Sequence, residues 1–212
     1  MDNHGTNGVM AVTVGIIAVC VLVYMAQLAD PTITQEYALS VMALRNGNYA
    51  VLLTSMFMHG GIMHIVMNMM SLWYIAKALR GVMNAAEYSI TYLSSGVIGG
   101  LTWAYVASQA GDLTSYCVGA SGAIFGILGA YGAMLMSMRH DGVNVGSAWQ
   151  SWIGVLFVNL VYGLTNPGIA LSAHVGGLVC GIVLGLVFFS HKHMRLVEGR
   201  MDSESAQRSP MA

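Results

Sequence analysis

Charged side chains are scarce in this chain of 212 residues. They make up 8% of it, against about 25% in an average soluble domain. Eight Lys and Arg stand against nine Asp and Glu, and the net charge of -1 provides no basic field that would hold nucleic acid. The three cysteines, Cys20, Cys117 and Cys180, lie far apart without a CxxC pair, so neither a zinc ribbon nor a disulfide framework is indicated. Only three prolines occur, which argues against a disordered, proline-rich chain.

Apolar residues dominate instead. They form 56% of the chain, and the mean hydropathy of +0.66 argues against a water-soluble globule. A helix that spans a bilayer needs roughly 20 mostly apolar residues, and six runs approach that size. These runs cover residues 9–29, 62–79, 88–107, 121–138, 149–164 and 171–190. We therefore predict an all-α, polytopic membrane protein: a six-helix membrane domain over 9–190, preceded by a short segment 1–8 and followed by a polar tail 191–212.

The positions of the cations predict the orientation, because Lys and Arg near helix ends are retained on the cytoplasmic side. All but one of them close or follow the second, fourth or sixth run: Lys77, Arg80, Arg139, Lys192, Arg195, Arg200 and Arg208. Only Arg45 lies on the other side, in the long connection 30–61, whose polar first half is expected at the membrane interface. Both termini are therefore predicted to be cytoplasmic. Residues 1–8 contain no Lys or Arg, so the first run is predicted to be a retained helix rather than a cleavable signal peptide.

Four polar residues within the apolar runs lie at similar depths. Counting from the cytoplasmic cations at about 1.5 Å per residue places Ser121 roughly 27 Å, His174 roughly 26 Å, His64 roughly 24 Å and Asn68 roughly 18 Å from that side. Each of them alone is explained by helix packing or by a bond to a backbone carbonyl. Three helices contributing to one layer are less easily explained in that way, and polar groups inside a membrane indicate a functional site.

The chemistry of this layer fits hydrolysis by a serine. Gly119 and Gly122 flank Ser121 where a loop becomes a helix, which leaves space around the hydroxyl. The first N–H groups of a helix have no internal partner, so they can stabilise an oxyanion. Serine needs a hydrogen-bonded base, and His174 is the only histidine in the last three runs that can serve. No acidic residue lies near His174 in sequence, so a dyad is predicted, with Phe125 one turn after Ser121 packing against the imidazole.

His64 and Asn68 share one face of the second predicted helix, at i and i+4. Neutral imidazole and carboxamide N–H groups at that face can supply further oxyanion donors. A metal site is the rival interpretation of the histidines. The chain has no HExxH motif, no carboxylate lies close in sequence, and a His-Asn pair suits zinc poorly. We therefore predict no metal and no cofactor.

Three ordered motifs on the second, fourth and sixth predicted helices together resemble those of the rhomboid intramembrane serine proteases. The resemblance covers roughly residues 52–189. Its motifs are Phe57-Met58-His59-Gly60-Gly61 leading into His64-Ile65-Val66-Met67-Asn68, then Gly119-Ala120-Ser121-Gly122, and Ala173-His174-Val175-Gly176-Gly177 with Gly181 four residues on.

The resemblance implies a fold and roles for these residues. It implies a six-helix rhomboid-like bundle in which Ser121 is the nucleophile and His174 the general base and acid. The oxyanion would be bound by His64, Asn68 and the Ser121 backbone N–H, with Phe125 stacked on the catalytic histidine. His59 would lie near the part of the site that retains water, and Gly177 and Gly181 would pack the sixth helix closely on the fourth. We expect a bacterial cytoplasmic membrane, with a site that opens to the non-cytoplasmic side.

One motif differs from the family pattern. Many members carry Trp-Arg before the Leu-Leu-Thr that leads into the second helix, whereas Ala50 and Val51 stand here. The long first loop is therefore expected to be held differently, by Arg45 or Tyr49.

The predicted function is hydrolysis of peptide bonds in single-pass transmembrane substrates within the lipid bilayer; the sequence does not indicate an oligomeric state. A second hypothesis is a non-catalytic relative that binds or escorts client transmembrane helices, against which the presence of both Ser121 and His174 speaks. A third is a small transporter, but no inverted repeat or pair of broken helices is visible, and the polar layer lies near one surface.

Overall fold

The computed structural model describes the backbone of residues 3–165 and 170–208, and side chains within that part except at 3–7, 160, 162 and 190–208. Its elements in chain order are α1 (Asn3–Ala29), α2 (Thr32–Tyr37), α3 (Val41–Arg45), α4 (Val51–Thr54), a 3-10 turn (Ser55–Phe57), α5 (Ile62–Leu79), α6 (Ala85–Gln109), α7 (Ser121–His140), α8 (Gly146–Thr165) and α9 (Leu171–Arg208). Each of the six predicted runs forms one long helix. The predicted all-α, polytopic bundle is confirmed.

Two helices extend by six residues or more past the runs that predicted them. Helix α1 begins at Asn3 rather than at residue 9, and α9 continues from the apolar segment through the predicted polar tail to Arg208. Helix formation depends on backbone preferences that Met, Arg, Glu and Ala satisfy whether or not the segment is apolar. The change of hydropathy near residue 190 therefore marks the end of the apolar segment and not the end of a helix. The domain boundaries drawn there stay predictions.

Among the described residues, four helical segments are long and apolar enough to cross a membrane: Gly8–Ala29, Ile62–Leu79, Ser121–His140 and Leu171–Phe189. Helix α6 is long enough, but it carries a row of small and polar residues that lowers its hydropathy. Tyr88, Thr91, Tyr92 and Ser95 of this row are buried, so α6 directs its polar groups into the bundle. A count of six membrane spans stays a prediction.

Helix α7 occupies the centre of the bundle. In its most apolar window 67% of the residues are buried, against 17% in α1. Glycines bring α7 and α9 into backbone contact, because a methyl group at Gly177 would overlap the carbonyl oxygen of Gly122 and one at Gly181 would overlap that of Gly126. Both positions predicted to pack the last helix on the fourth long helix thus lie in that interface. The close approach requires residues without side chains.

The long first loop is folded into the short helices α2, α3 and α4 and is fastened largely by its backbone. Leu39 and Cys117 form an antiparallel bridge, with N–H to O distances of 3.2 and 2.8 Å, and the Met42 N–H donates to the Leu113 carbonyl at 3.0 Å. Of the two residues expected to hold the loop, Arg45 donates to Ser108 Oγ at 3.4 Å, whereas Tyr49 is 68% exposed. The loop is therefore tied to the segment that leads to Ser121.

Candidate active site

Ser121 is the first residue of α7, at the end of a turn that only glycine adopts easily. Gly119 has a φ of +127°, which lies in the region disfavoured for residues with a side chain. Its N–H donates to the Ser55 carbonyl at 2.9 Å, which fastens the turn to the 3-10 segment before α5. As the first residue of a helix, Ser121 presents a backbone N–H without an intrahelical acceptor. The turn therefore places the Ser121 hydroxyl beside a backbone donor.

His174 and Ser121 meet across the interface between α9 and α7. The distance between His174 Nε2 and Ser121 Oγ is 2.8 Å, within the range of a hydrogen bond. His174 lies in the first turn of α9 and is 8% exposed. The Phe125 ring lies parallel to the imidazole, with centroids 4.2 Å apart and planes inclined by 10°. The structure thus brings together the three residues that the sequence selected for a stacked serine-histidine pair.

The second ring nitrogen of His174 is buried. Among the described residues no acceptor lies within hydrogen-bonding distance of Nδ1. The stacked Phe125 ring and the close packing of α9 on α7 are the contacts that hold the imidazole plane. The acid that orients such an imidazole in a triad is replaced here, within the described part of the chain, by packing.

His64 reaches the Gly119 turn from α5. Its Nδ1 accepts a hydrogen bond from the Gly60 N–H at 3.3 Å, so the proton of the neutral ring is on Nε2. A Cβ atom added to Gly119 would lie 2.8 Å from His64 Nε2. The absence of a side chain at Gly119 therefore makes room for the imidazole. This arrangement directs the protonated nitrogen of His64 at the turn that precedes Ser121.

Asn68 lies one turn further along α5 and is buried. Its Nδ2 donates to the His64 carbonyl at 2.8 Å, which uses one of its two N–H groups. Asn68 therefore keeps one N–H group for another acceptor.

Gly122, the residue after Ser121, packs on α6, because a Cβ atom added to Gly99 would lie 3.5 Å from the Gly122 Cα.

His59 packs beside His64 in the segment before α5. The two ring centroids are 5.2 Å apart with an interplanar angle of 72°, and His59 is 2% exposed. Burial, and secondarily the neighbouring His64, lowers the pKa of His59 to about 4, so the ring is neutral at pH 7. Neither ring nitrogen has a hydrogen-bond partner among the described residues.

Sequence reasoning overlooked Gln27, which contacts this segment from α1. Its side-chain amide is hydrogen-bonded to both the N–H and the carbonyl of His59. A buried amide in the last turn of an otherwise apolar run was the available signal, since polar groups inside a membrane segment are costly without a partner. Cys117 belongs to the loop bridge, and burial raises the pKa of its thiol to about 12. No three metal-binding side chains cluster in the described part of the chain, and the expected lack of a metal stays a prediction.

Comparison with known proteins identifies the family of this chain. The family model described as Rhomboid domain matches residues 46–191. The chain belongs to the rhomboid family. As a rhomboid with several apolar helices, it is an integral multi-pass membrane protein. The matched region includes every site residue that the sequence selected, from His59 to Gly181.

Relatives of this rhomboid come from plants and bacteria. It is 34% identical over 157 residues to RHOMBOID-like protein 5 of Arabidopsis thaliana, covering 74% of this chain and 50% of the relative. It is 30% identical over 154 residues to the Putative rhomboid protease YdcA of Bacillus subtilis, covering 73% and 74% of the two chains. It is 32% identical over 143 residues to the Rhomboid protease GluP of the same bacterium, covering 65% of this chain and 26% of GluP. The chain thus spans half of one relative and a quarter of another.

Proposed function

We propose that this rhomboid is an intramembrane serine endopeptidase that cleaves transmembrane segments of membrane proteins with a Ser121–His174 dyad. The observation that carries the proposal is the 2.8 Å contact between Ser121 Oγ and His174 Nε2 at the starts of α7 and α9. Relatives named as rhomboid proteases support the same class of reaction.

The first half of the reaction forms an ester. Ser121 Oγ attacks the peptide carbonyl while His174 Nε2 takes its proton. The oxyanion is bound by the Ser121 backbone N–H and the His64 Nε2–H, with the second Asn68 N–H as a further donor. Collapse breaks the C–N bond, and the leaving amine takes the proton from His174 Nε2.

The second half reverses these proton transfers. Water gives a proton to His174 and attacks the ester, the same donors bind the second oxyanion, and the protonated imidazole returns the proton to Ser121 Oγ as the acid product leaves.

The site selects substrates that can present an extended peptide. Every backbone group of a transmembrane helix is hydrogen-bonded within that helix, so the scissile bond must be freed by local unwinding. Small or helix-breaking residues near the bond lower the energy of unwinding. We further propose that the substrates are single-pass membrane proteins, cut near the non-cytoplasmic surface of a bacterial cytoplasmic membrane, and that both termini of the enzyme are in the cytoplasm.

Two assays test this function on purified full-length protein. A fluorophosphonate probe is expected to label the wild type and Ser89→Ala, a control serine on α6 that bonds to its own helix. Ser121→Ala and His174→Ala are expected to lose both labelling and cleavage of a tagged transmembrane substrate. Labelling that persists in Ser121→Ala overturns the nucleophile. Wild-type protein that neither reacts nor cleaves any of several substrates would support a non-catalytic, client-binding rhomboid instead.

A further inference from the structure

The Gln27 side chain is a clamp that binds both backbone groups of one residue, His59, beside the site. Gln27 lies in the last turn of α1 and is 8% exposed. Its Oε1 accepts from the His59 N–H at 3.0 Å, and its Nε2 donates to the His59 carbonyl at 3.3 Å and to Thr34 Oγ at 2.9 Å. A backbone N–H can only donate and a carbonyl can only accept, so the orientation of the amide is fixed by its partners.

The clamped carbonyl and the His64 donor belong to the same peptide group. The carbonyl of His59 and the N–H of Gly60 are the two ends of one planar unit. A planar trans peptide directs its N–H opposite to its carbonyl, so holding the His59 oxygen also sets the direction of the Gly60 N–H. That N–H donates to His64 Nδ1 at 3.3 Å. The Gln27 amide is therefore linked to the His64 ring through one rigid group.

The tautomer of His64 depends on this link. While the Gly60 N–H occupies Nδ1, the ring carries its proton on Nε2, the nitrogen that lies against Gly119. If the peptide group turned, Nδ1 would lose its donor and the Nδ1–H tautomer would become populated. In that tautomer Nε2 has a lone pair, which repels an oxyanion instead of binding it.

We propose that Gln27 is a positioning residue that holds His64 in the Nε2–H tautomer through the peptide group between His59 and Gly60. Its effect on the reaction rests on the proposed protease function, in which His64 donates to the oxyanion. The hydrogen bonds of Gln27 go to His59 and Thr34, so it acts on the chemistry through His64.

The first test reads the tautomer directly and needs no activity. Protein labelled with ¹⁵N-histidine in detergent micelles gives separate signals for protonated and unprotonated ring nitrogens, and the His64 pair is the one absent from His64→Asn. The wild type is expected to show an unprotonated Nδ1 and a protonated Nε2 at His64. Gln27→Met fills similar space without hydrogen bonds and is expected to show a mixture of tautomers. An unchanged His64 pair in Gln27→Met overturns the proposal.

A second variant separates the clamp from simple packing. Gln27→Glu keeps the acceptor for the His59 N–H, but its carboxylate cannot donate to the His59 carbonyl. It is expected to show the same mixture as Gln27→Met at neutral pH. A Gln27→Glu spectrum with the wild-type His64 pair would mean that the donor side of the amide is not needed, and the proposal would fail.

The catalytic consequence is measured by steady-state cleavage of the tagged substrate. Gln27→Met is expected to lose about tenfold in kcat with little change in KM, because an oxyanion donor acts in the transition state. Thr13→Val is the matched control: it removes a buried hydroxyl on α1 that donates to the Val9 carbonyl at 2.8 Å and contacts the Tyr88 hydroxyl at 3.1 Å. An equal loss in Thr13→Val would assign the effect to a loosened α1 and overturn the proposal.

The two hypotheses fail in different ways. If wild-type protein neither labels nor cleaves, the protease function fails, while the ¹⁵N spectra still decide whether Gln27 holds the tautomer. If wild-type protein cleaves and Gln27→Met keeps both its spectrum and its kcat, only the positioning role fails.

Discussion

Adding one methyl group at Gly177 is expected to separate Ser121 and His174, the proposed dyad. A Cβ at this position overlaps the carbonyl oxygen of Gly122 and lies 3.3 Å from its Cα. Gly122 follows Ser121 directly, and Gly177 lies one helical turn after His174. The overlap therefore lies beside both residues of the pair, where few other atoms can move to relieve it.

The magnitude follows from the size of the overlap. Relief requires α9 to retreat from α7 by about 1 Å, since packed interiors absorb added volume poorly. A shift of about 1 Å would stretch the Ser121–His174 contact of 2.8 Å beyond hydrogen-bonding range. Misplacement of that size costs about 10²-fold in rate. Overpacking costs about 1–3 kcal/mol of stability, offset by up to about 1 kcal/mol from the higher helix propensity of alanine.

The assay compares fluorophosphonate labelling, substrate cleavage and thermal unfolding in micelles for Gly177→Ala and two controls. Gly15→Ala in α1 and Gly154→Ala in α8 make the same substitution in helices where nothing lies within 4 Å of the new Cβ. Both are expected to keep wild-type activity. The reasoning is refuted if Gly177→Ala cleaves and labels as fast as these controls, because the close approach of α9 and α7 would then not set the geometry of the pair.

Two further predictions concern the turn before Ser121 and the segment before α5. Gly119→Ala is expected to lose about 10²-fold in kcat/KM, because its Cβ would lie 2.8 Å from His64 Nε2. Gly47→Ala is the control, since Gly47 also has a positive φ, +81°, but nothing lies within 4 Å of its added Cβ, and this variant should keep its activity. Equal losses in the two variants would assign the effect to backbone strain and not to the His64 ring. Because His59 has its pKa lowered from 6.5 to about 4, the unfolded state binds the proton first, and stability should fall between pH 6.5 and 4 by about 3 kcal/mol. Thermal unfolding of His59→Leu should be less sensitive over that range; an equal slope would contradict the assignment.

The parts of the fold that the sequence predicts well are those set by local patterns. Helix α5 spans the predicted residues 62–79, since Gly60 and Gly61 end the preceding segment and an unbroken apolar run follows. Helix α7 begins at Ser121 as expected, because the flexible Gly119 precedes it. Counting residues from the cytoplasmic cations placed four polar residues from three helices at similar depths. Two of those four residues, Ser121 and His174, are in direct contact in the structure. Such a count is informative because all α-helices have the same rise per residue.

The parts that could not be predicted depend on contacts distant in sequence. The bridge from Leu39 to Cys117 joins backbone groups, which every residue carries, so no side-chain pattern indicates it. The clamp by Gln27 is of the same kind, because its partners are the N–H and carbonyl of His59. The predicted boundary at residue 190 is not the end of α9, because hydropathy reports where a helix meets lipid and not where its hydrogen bonds end.

The proposed dyad, which has no acid beside it among the described residues, places unusual demands on packing. An acid fixes an imidazole by a directed bond, whereas stacking on Phe125 fixes only the plane of the ring, with centroids 4.2 Å apart. The remaining freedom of His174 is removed by the position of α9, which the glycine contacts with α7 determine. The same logic holds at the turn before Ser121, where the space left at Gly119 admits the His64 ring. Geometry stored in backbone contacts is more easily lost by adding one carbon atom than by deleting a polar group at the surface.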